Sequence, residues 1–85
     1  MKVLIPGALR SYTQSHEAAA HGATLDEALD DLDRQYPGIR FRVIDEQGKV
    51  RRHIRIFVNG ASAESLSMNM QPSDEVILVQ ALSGG

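Results

Sequence analysis

The sequence predicts an α+β roll, a mixed sheet with one main helix crossing one of its faces. Three observations point there. A single long amphipathic segment begins at Thr24. The chain opens on "KVLI" and closes on "EVILVQAL", both of strand character. Between the helix and the last strand lie short alternating runs broken by turn residues, and a set of strands with one covering helix is a two-layer α+β architecture.

Taken in order, "KVLI" suits a short first strand that Pro6-Gly7 ends, since proline offers no amide to the ladder and glycine weakens it. "LRSYTQSHEAAA" reads as a turn followed by a second, weaker strand near Glu17 to Ala20. Thr24 occupies an N-cap position and Glu27 falls three residues later, the spacing of a capping box. Leu25, Ala28, Leu29, Leu32 and Tyr36 then make one helical stripe, and Asp26, Glu27, Asp30, Asp31 and Asp33 the opposite face. Pro37-Gly38 ends the helix.

Phe41 and Val43 alternate as in a strand before the turn-like Glu46-Gln47-Gly48. Ile54, Ile56 and Val58 alternate before Asn59-Gly60, a strong hairpin signal, with Arg55 and Phe57 on the other face. "ASAESLSMNMQPSD" reads as a connector with one short strand or turn. The run Val76, Ile77, Leu78 and Val79 is apolar at successive positions, as expected of a strand covered on both faces and lying centrally beside the first. With a single helix to cover one face, the second face is covered either by loops or by a docking partner.

The chain has 85 residues, room for one small domain over 1–82 and a flexible tail over 83–85. Apolar residues at 42% and charged residues at 24% describe a folding sequence, not a disordered one. There is no cysteine, which excludes disulfides, thiolate metal sites and cysteine nucleophiles. The opening is too short for a signal peptide and no window approaches a membrane span, so the expected location is the cytoplasm, with no membrane partner.

The net charge of -2 is unevenly spread, with acid on the helix and base at Arg40, Arg42, Lys49, Arg51, Arg52 and Arg55. The basic run lacks interleaved aromatics, so no nucleic-acid role is expected; the two charged stretches are solvated faces or docking surfaces. His16, His21 and His53 have no metal-ligand spacing, "PGAL" lacks the pattern of a phosphate loop, and Ser83 has no recognisable base beside it. No metal site and no catalytic side chain are expected.

The last residues, "VQALSGG", need a different explanation. Two terminal glycines arise by chance in roughly one chain in 200 at a background of ~7%. Ser83, Gly84 and Gly85 have almost no side-chain bulk and, extended, reach ~10 Å, enough to thread a narrow channel and deliver a carboxylate. An α-carboxyl with a reference pKa of ~3.3–3.7 is an anion at neutral pH and a poor electrophile, so acyl chemistry needs prior activation.

"IRIFVNG", "SDEVILVQALSGG" and the bare diglycine together resemble the ubiquitin-like sulfur carriers, the family of the molybdopterin synthase small subunit, the thiamine sulfur carrier and their cysteine-biosynthesis relative. The resemblance implies a β-grasp (ubiquitin-like) fold. It implies that Gly85 is adenylated by an ATP-dependent, E1-like activating enzyme and converted to a thiocarboxylate, with Gly84 keeping the tail slim. On the residues themselves Ser83 is a small member of that tail, and Phe57, which points away from its isoleucine neighbours, and Leu82 are the expected partner-binding residues. The protein would be a cosubstrate, not an enzyme, with no cofactor of its own, and its partners would be the activating enzyme, a sulfur donor and a sulfur-accepting synthase. The length and the segment from Pro37 to His53 look closer to the molybdopterin and cysteine-biosynthesis branches than to the shorter thiamine carrier, and "DEQGKVRRHIRIFVNG" leans toward cysteine-type or pathway-specialised sulfur transfer. Ser73 stands where relatives often carry glycine in "GDEV", which bears on the choice of acceptor enzyme because that loop is expected near the tail. No residue follows Gly85, so no processing peptidase is expected. Two other readings stay open: a ubiquitin-like modifier joined to lysines through Gly85, and a β-grasp interaction module with an inert tail.

Overall fold

The structure is a computed structural model and describes residues 1–81. Its elements are β1 (Lys2–Leu4), a 3-10 turn (Gly7–Leu9) running into α1 (Arg10–Thr13), β2 (Glu17–Ala19), α2 (Leu25–Gln35), α3 (Ile39–Val43), β3 (Ile54–Val58), β4 (Ala61–Ser62) and β5 (Glu75–Gln80). They form one five-stranded sheet in the order β2-β1-β5-β3-β4. β5 runs parallel to β1, with Val3 beside Val76, and every other pairing is antiparallel. The sheet is therefore mixed, with the last strand at its centre, as expected.

The start of α2 follows from its sequence. Thr24 Oγ1 accepts the Glu27 N–H at 3.2 Å, while Glu27 Oε1 accepts the N–H of Ala23, one residue ahead of the N-cap, at 3.0 Å. This occupies amides that the first helical turn would otherwise leave without partners. Leu25, Ala28, Leu29 and Leu32 are buried against the sheet residues Val3, Val76, Leu78, Ile54, Ile56 and Val58 in one core. Each fully buried aliphatic side chain contributes ~1.5–3 kcal/mol through burial.

Two expectations are corrected. Phe41 and Val43 are not in a strand, because Ile39–Val43 is a helical turn, α3. Ile39 and Val43 are one turn apart and both buried, whereas Phe41 is 53% exposed. The amides that open this turn, those of Gly38 and Arg40, both donate to Asp33 Oδ1 of α2, at 3.1 and 3.0 Å. Gly38 reaches this geometry with φ of 100°, a region disfavoured for side-chain-bearing residues.

The second correction concerns β5, which is covered on one face and not on both. Val76 and Leu78 are buried, but Ile77 is half-buried and Val79 is 36% exposed. The buried residues of α2 and α3 pack into one core with Val76 and Leu78, and among the described residues Ile77 and Val79 keep accessible surface on the other face.

The hairpin signal at Asn59-Gly60 is borne out. Val58 pairs with Ala61 across it, and φ is 52° at Asn59 and 87° at Gly60, the two positive values that suit the twist of a two-residue turn. Elsewhere glycine is required by space. A Cβ added to Gly22 would lie 2.5 Å from the Ala28 N and 2.8 Å from the Glu27 carbonyl carbon, in the first turns of α2. Gly22→Ala is therefore expected to destabilise the fold by ~1–3 kcal/mol through overpacking, read as a drop of several degrees in thermal midpoint. An unchanged midpoint would show that the 22–24 segment can move away from α2.

Candidate functional site

β5 carries the chain from one rim of the sheet to the other. At its far end Gln80 pairs with Ile54, and the Ala81 N–H donates to the His53 carbonyl at 2.7 Å. Ala81, the last described residue, thus stands at the rim formed by the start of β3. The expected working residues Leu82, Ser83, Gly84 and Gly85, and the boundary between domain and tail, lie outside the described residues.

The uncovered face of the sheet leads to this rim. Phe57 pairs with Ile77, Arg55 with Val79, and Leu4 with Ile77 from the other side, so these side chains share one face by strand parity. Leu4, Phe57 and Ile77 are half-buried and Val79 is exposed, which makes an apolar strip across the three central strands. Its end away from the rim is polar, with Lys2 Nζ 3.8 Å from the Glu75 carboxylate. Phe57, expected to touch partners, is therefore on the accessible face beside the strand that leads to the tail.

The loop between Gly60 and Asp74 was expected near the tail. Its Glu64 and Leu66 do line a cavity with Arg51, Ile54 and Arg55 at the rim where Ala81 stands, but its Ser73 end lies at the opposite rim, because it precedes the start of β5. There Asp74 and Asn59 clasp the hairpin to the loop. Asn59 Nδ2 donates to Asp74 Oδ1 at 2.9 Å, the Gln71 N–H donates to Asp74 Oδ2 at 2.7 Å, and Asn59 Oδ1 accepts the Glu75 N–H at 3.0 Å. The Gln71 amide first, and then the Asn59 side chain, hold the Asp74 carboxyl below its usual range.

A depressed folded pKa means that the contribution to stability is complete above the unfolded carboxylate value, ~3.9, and is lost as pH falls through the lower folded value. Acidification should accordingly lower the urea midpoint of the wild-type chain more than that of Asp74→Asn. Equal losses in both proteins would mean that the clasp is not linked to folding.

The charged stretches turn out to be partly joined. Arg40 reaches across to α2, with its guanidinium 2.8 Å from Asp26 and 3.4 Å from Asp30. The guanidinium of Arg51 lies 4.5 Å over the Phe41 ring while its Nε donates to the Phe41 carbonyl at 2.6 Å. Sequence reasoning missed these two links and the Asp33 and Asp74 anchors. Only Asp74, directly before a strand and far from an Asn-Gly turn, carried any local signal.

His16 sits 3.6 Å from Glu17 on the surface, and among the described residues no group of histidines and carboxylates could hold a metal ion. No helix among them is long and apolar enough to cross a membrane.

Comparison with known proteins gives this arrangement a context. The sequence model of the ThiS family matches residues 3–85. The sulfur carrier protein CysO of Mycobacterium tuberculosis is 33% identical over 98% of this chain and 96% of its own length. Small archaeal modifier protein 1 of Haloferax volcanii is 35% identical over 74% of this chain and 71% of its own. In the crystal structure of the Amycolatopsis orientalis BexX/CysO complex, a chain superposes with a TM-score of 0.89 at 31% identity, covering 99% of this chain and 98% of that one. The fold shared with these proteins is the ubiquitin-like β-grasp.

Proposed function

Because the chain belongs to the ThiS family, we propose that it is a sulfur carrier protein whose terminal carboxylate, on Gly85, is adenylated and then converted to a thiocarboxylate. The observation that carries this reading is the family match, which runs through Gly84 and Gly85. Similarity to a sulfur carrier over nearly the whole chain supports it, and so does a central strand that ends at the rim where Ala81, the last described residue, stands.

The chemistry needs two steps. The Gly85 carboxylate attacks the α-phosphate of ATP held by an E1-like activating enzyme, and pyrophosphate leaves. Hydrosulfide supplied by a sulfur donor then attacks the acyl carbon of the adenylate, AMP departs with the bonding pair, the S–H proton is lost, and sulfur takes the place of one oxygen. In this scheme the carrier acts as a small protein substrate and binds no cofactor, ATP being used by the partner. It works in the cytoplasm and passes its sulfur to a synthase.

Phe57, together with the neighbouring apolar strip and Leu82, meets these partners. That a solved relative is seen in a complex supports docking of this kind. Similarity to CysO favours the cysteine-type or a pathway-specialised branch over the thiamine type.

A second reading is favoured by the similarity to a small archaeal modifier protein, namely that Gly85 is also joined to target lysines through isopeptide bonds. Both readings share the activated intermediate. The test is the intact mass of the chain after incubation with an activating enzyme, ATP and sulfide. Exchange of one oxygen for sulfur is the expected result, and an unchanged mass with several competent activating enzymes removes the carrier reading. Adducts on lysines in extract would report the second.

A further inference from the structure

We propose that Arg51, Arg52 and Arg55, clustered at the rim where Ala81 leaves the sheet, form a docking site for an acidic protein segment, the Asp and Glu side chains of the protein that receives the tail. This rests on the carrier reading above and names the chemistry of the partner.

The placement follows from strand register. Gln80 pairs with Ile54 and Val79 with Arg55, and Ala81 bonds to His53, so any protein that takes hold of the chain beyond Ala81 comes up against residues 51–55. All three arginines are among the residues that line one open cavity of about 290 Å³, together with Ser62, Glu64 and Leu66.

None of the three arginines has a carboxylate within ion-pair distance among the described residues, whereas Lys2, Arg34 and Arg40 do. Asp45, the acid that feels the charge of Arg51, already uses its Oδ1 to accept the Gln47 and Lys49 amides at 2.9 and 3.0 Å.

Two of the arginines are also held in position. Arg51 is fixed by its bond to the Phe41 carbonyl and by the ring beneath it. Arg55 Nη1 donates to the carbonyls of Arg52 and Ile54, at 2.7 and 3.0 Å. A guanidinium carries five N–H donors, so each of these side chains keeps donors free to face solvent. A planar fork whose rotamers are already fixed loses little entropy on meeting a carboxylate.

A protein segment fits better than a free anion because Leu66 and the exposed Val50 offer apolar surface beside the charges, which a bare phosphate would leave unused. The chain as a whole is negative, at -2, so the cluster would also orient an acidic partner that the rest of the surface repels.

The experiment titrates the ¹⁵N-labelled chain with a short poly-aspartate peptide. Shifts should centre on the Nε–Hε signals of Arg51, Arg52 and Arg55 and on the Ser62 and Leu66 amides, and should fade with added salt. The double variant Arg52→Glu/Arg55→Glu should weaken the peptide roughly tenfold or more while keeping the wild-type urea midpoint. Shifts centred on Lys2, Arg10 or Arg34, or full displacement of the peptide by an equal concentration of inorganic phosphate, would overturn the proposal.

A second arm separates this inference from the reading beneath it. With an enzyme that thiocarboxylates the wild-type chain, the double variant should show KM raised about tenfold at unchanged kcat. An unchanged KM there overturns the docking site and leaves the carrier reading intact. If no enzyme modifies the wild-type chain, the carrier reading fails, and the peptide titration alone decides whether the cluster receives acidic segments.

Discussion

A chain that lacks Gly84 and Gly85 should gain no sulfur at all under conditions that convert the whole chain. The truncated protein still ends in a carboxylate, now on Ser83, so the chemistry of the group is unchanged and only its reach and slimness differ. Two residues of extended chain span about 7 Å, and near-attack geometry requires reacting atoms within ~3–3.5 Å, so a shortened tail misses the α-phosphate altogether. Gly84→Val and Gly85→Val keep the length and add only bulk; they should be converted far more slowly than wild type. All of these variants should unfold at the wild-type urea midpoint, because the described sheet and core are complete by Ala81. Sulfur uptake by the truncated chain would refute the proposal that Gly85 is the acceptor.

The second large effect is expected on the uncovered face. Phe57→Asp and Val79→Asp each place a charge in the apolar strip without touching the core, since both side chains point away from α2. If the strip is a docking surface, each should raise the KM of the activation step by about 30-fold or more, the size of effect seen when a central interface anchor worth ~2 kcal/mol is removed. The thermal midpoint of Val79→Asp should stay within ~2–4 °C of wild type, since substitutions at exposed sites usually change stability by less than ~0.5 kcal/mol, and that of Phe57→Asp, at a half-buried site, should fall somewhat further without loss of the fold. A paired loss of stability and affinity would mean instead that the face is part of the fold. Ile56→Asp supplies the contrast: Ile56 is buried on the opposite face, and a charge there should unfold the protein.

How much of this was legible in the sequence depends on whether the signal was local. The helix α2, the alternation in β3 and the Asn59-Gly60 turn were readable because caps, periodicity and turn chemistry act over a few residues. α3 was not, because Phe41 and Val43 fit a strand as well as Ile39 and Val43 fit a helical turn. What decides between them is Asp33, a capping group contributed by another helix. In β5 the four consecutive apolar residues suggested cover on both faces. The structure uses that apolarity differently: Val76 and Leu78 are buried, while Ile77 and Val79 face outward on the strip with Phe57. Phe57 was picked out because it breaks with its isoleucine neighbours. Its companions Leu4 and Ile77 come from distant strands, and only register brings them together. The loop between Gly60 and Asp74 divides for a similar reason: Glu64 and Leu66 lie at the rim where Ala81 stands, whereas Ser73, next to the start of β5 in sequence, lies a strand's length away.

The parallel pairing of β1 with β5 at the middle of the sheet also bears on how the protein is made. β1 waits for β5 before it gains its central neighbour, and β3 waits for the same strand on its other side. Without β5 only the pairings of β1 with β2 and of β3 with β4 are available, and the loop that must close to join them spans much of the sequence, which makes for slow, late folding. Translation that stops before β5 therefore yields no folded domain, and a partner that recognises the assembled face would ignore such fragments. On the proposed function, a chain that has not been synthesised through β5 would thus present no assembled face to an activating partner.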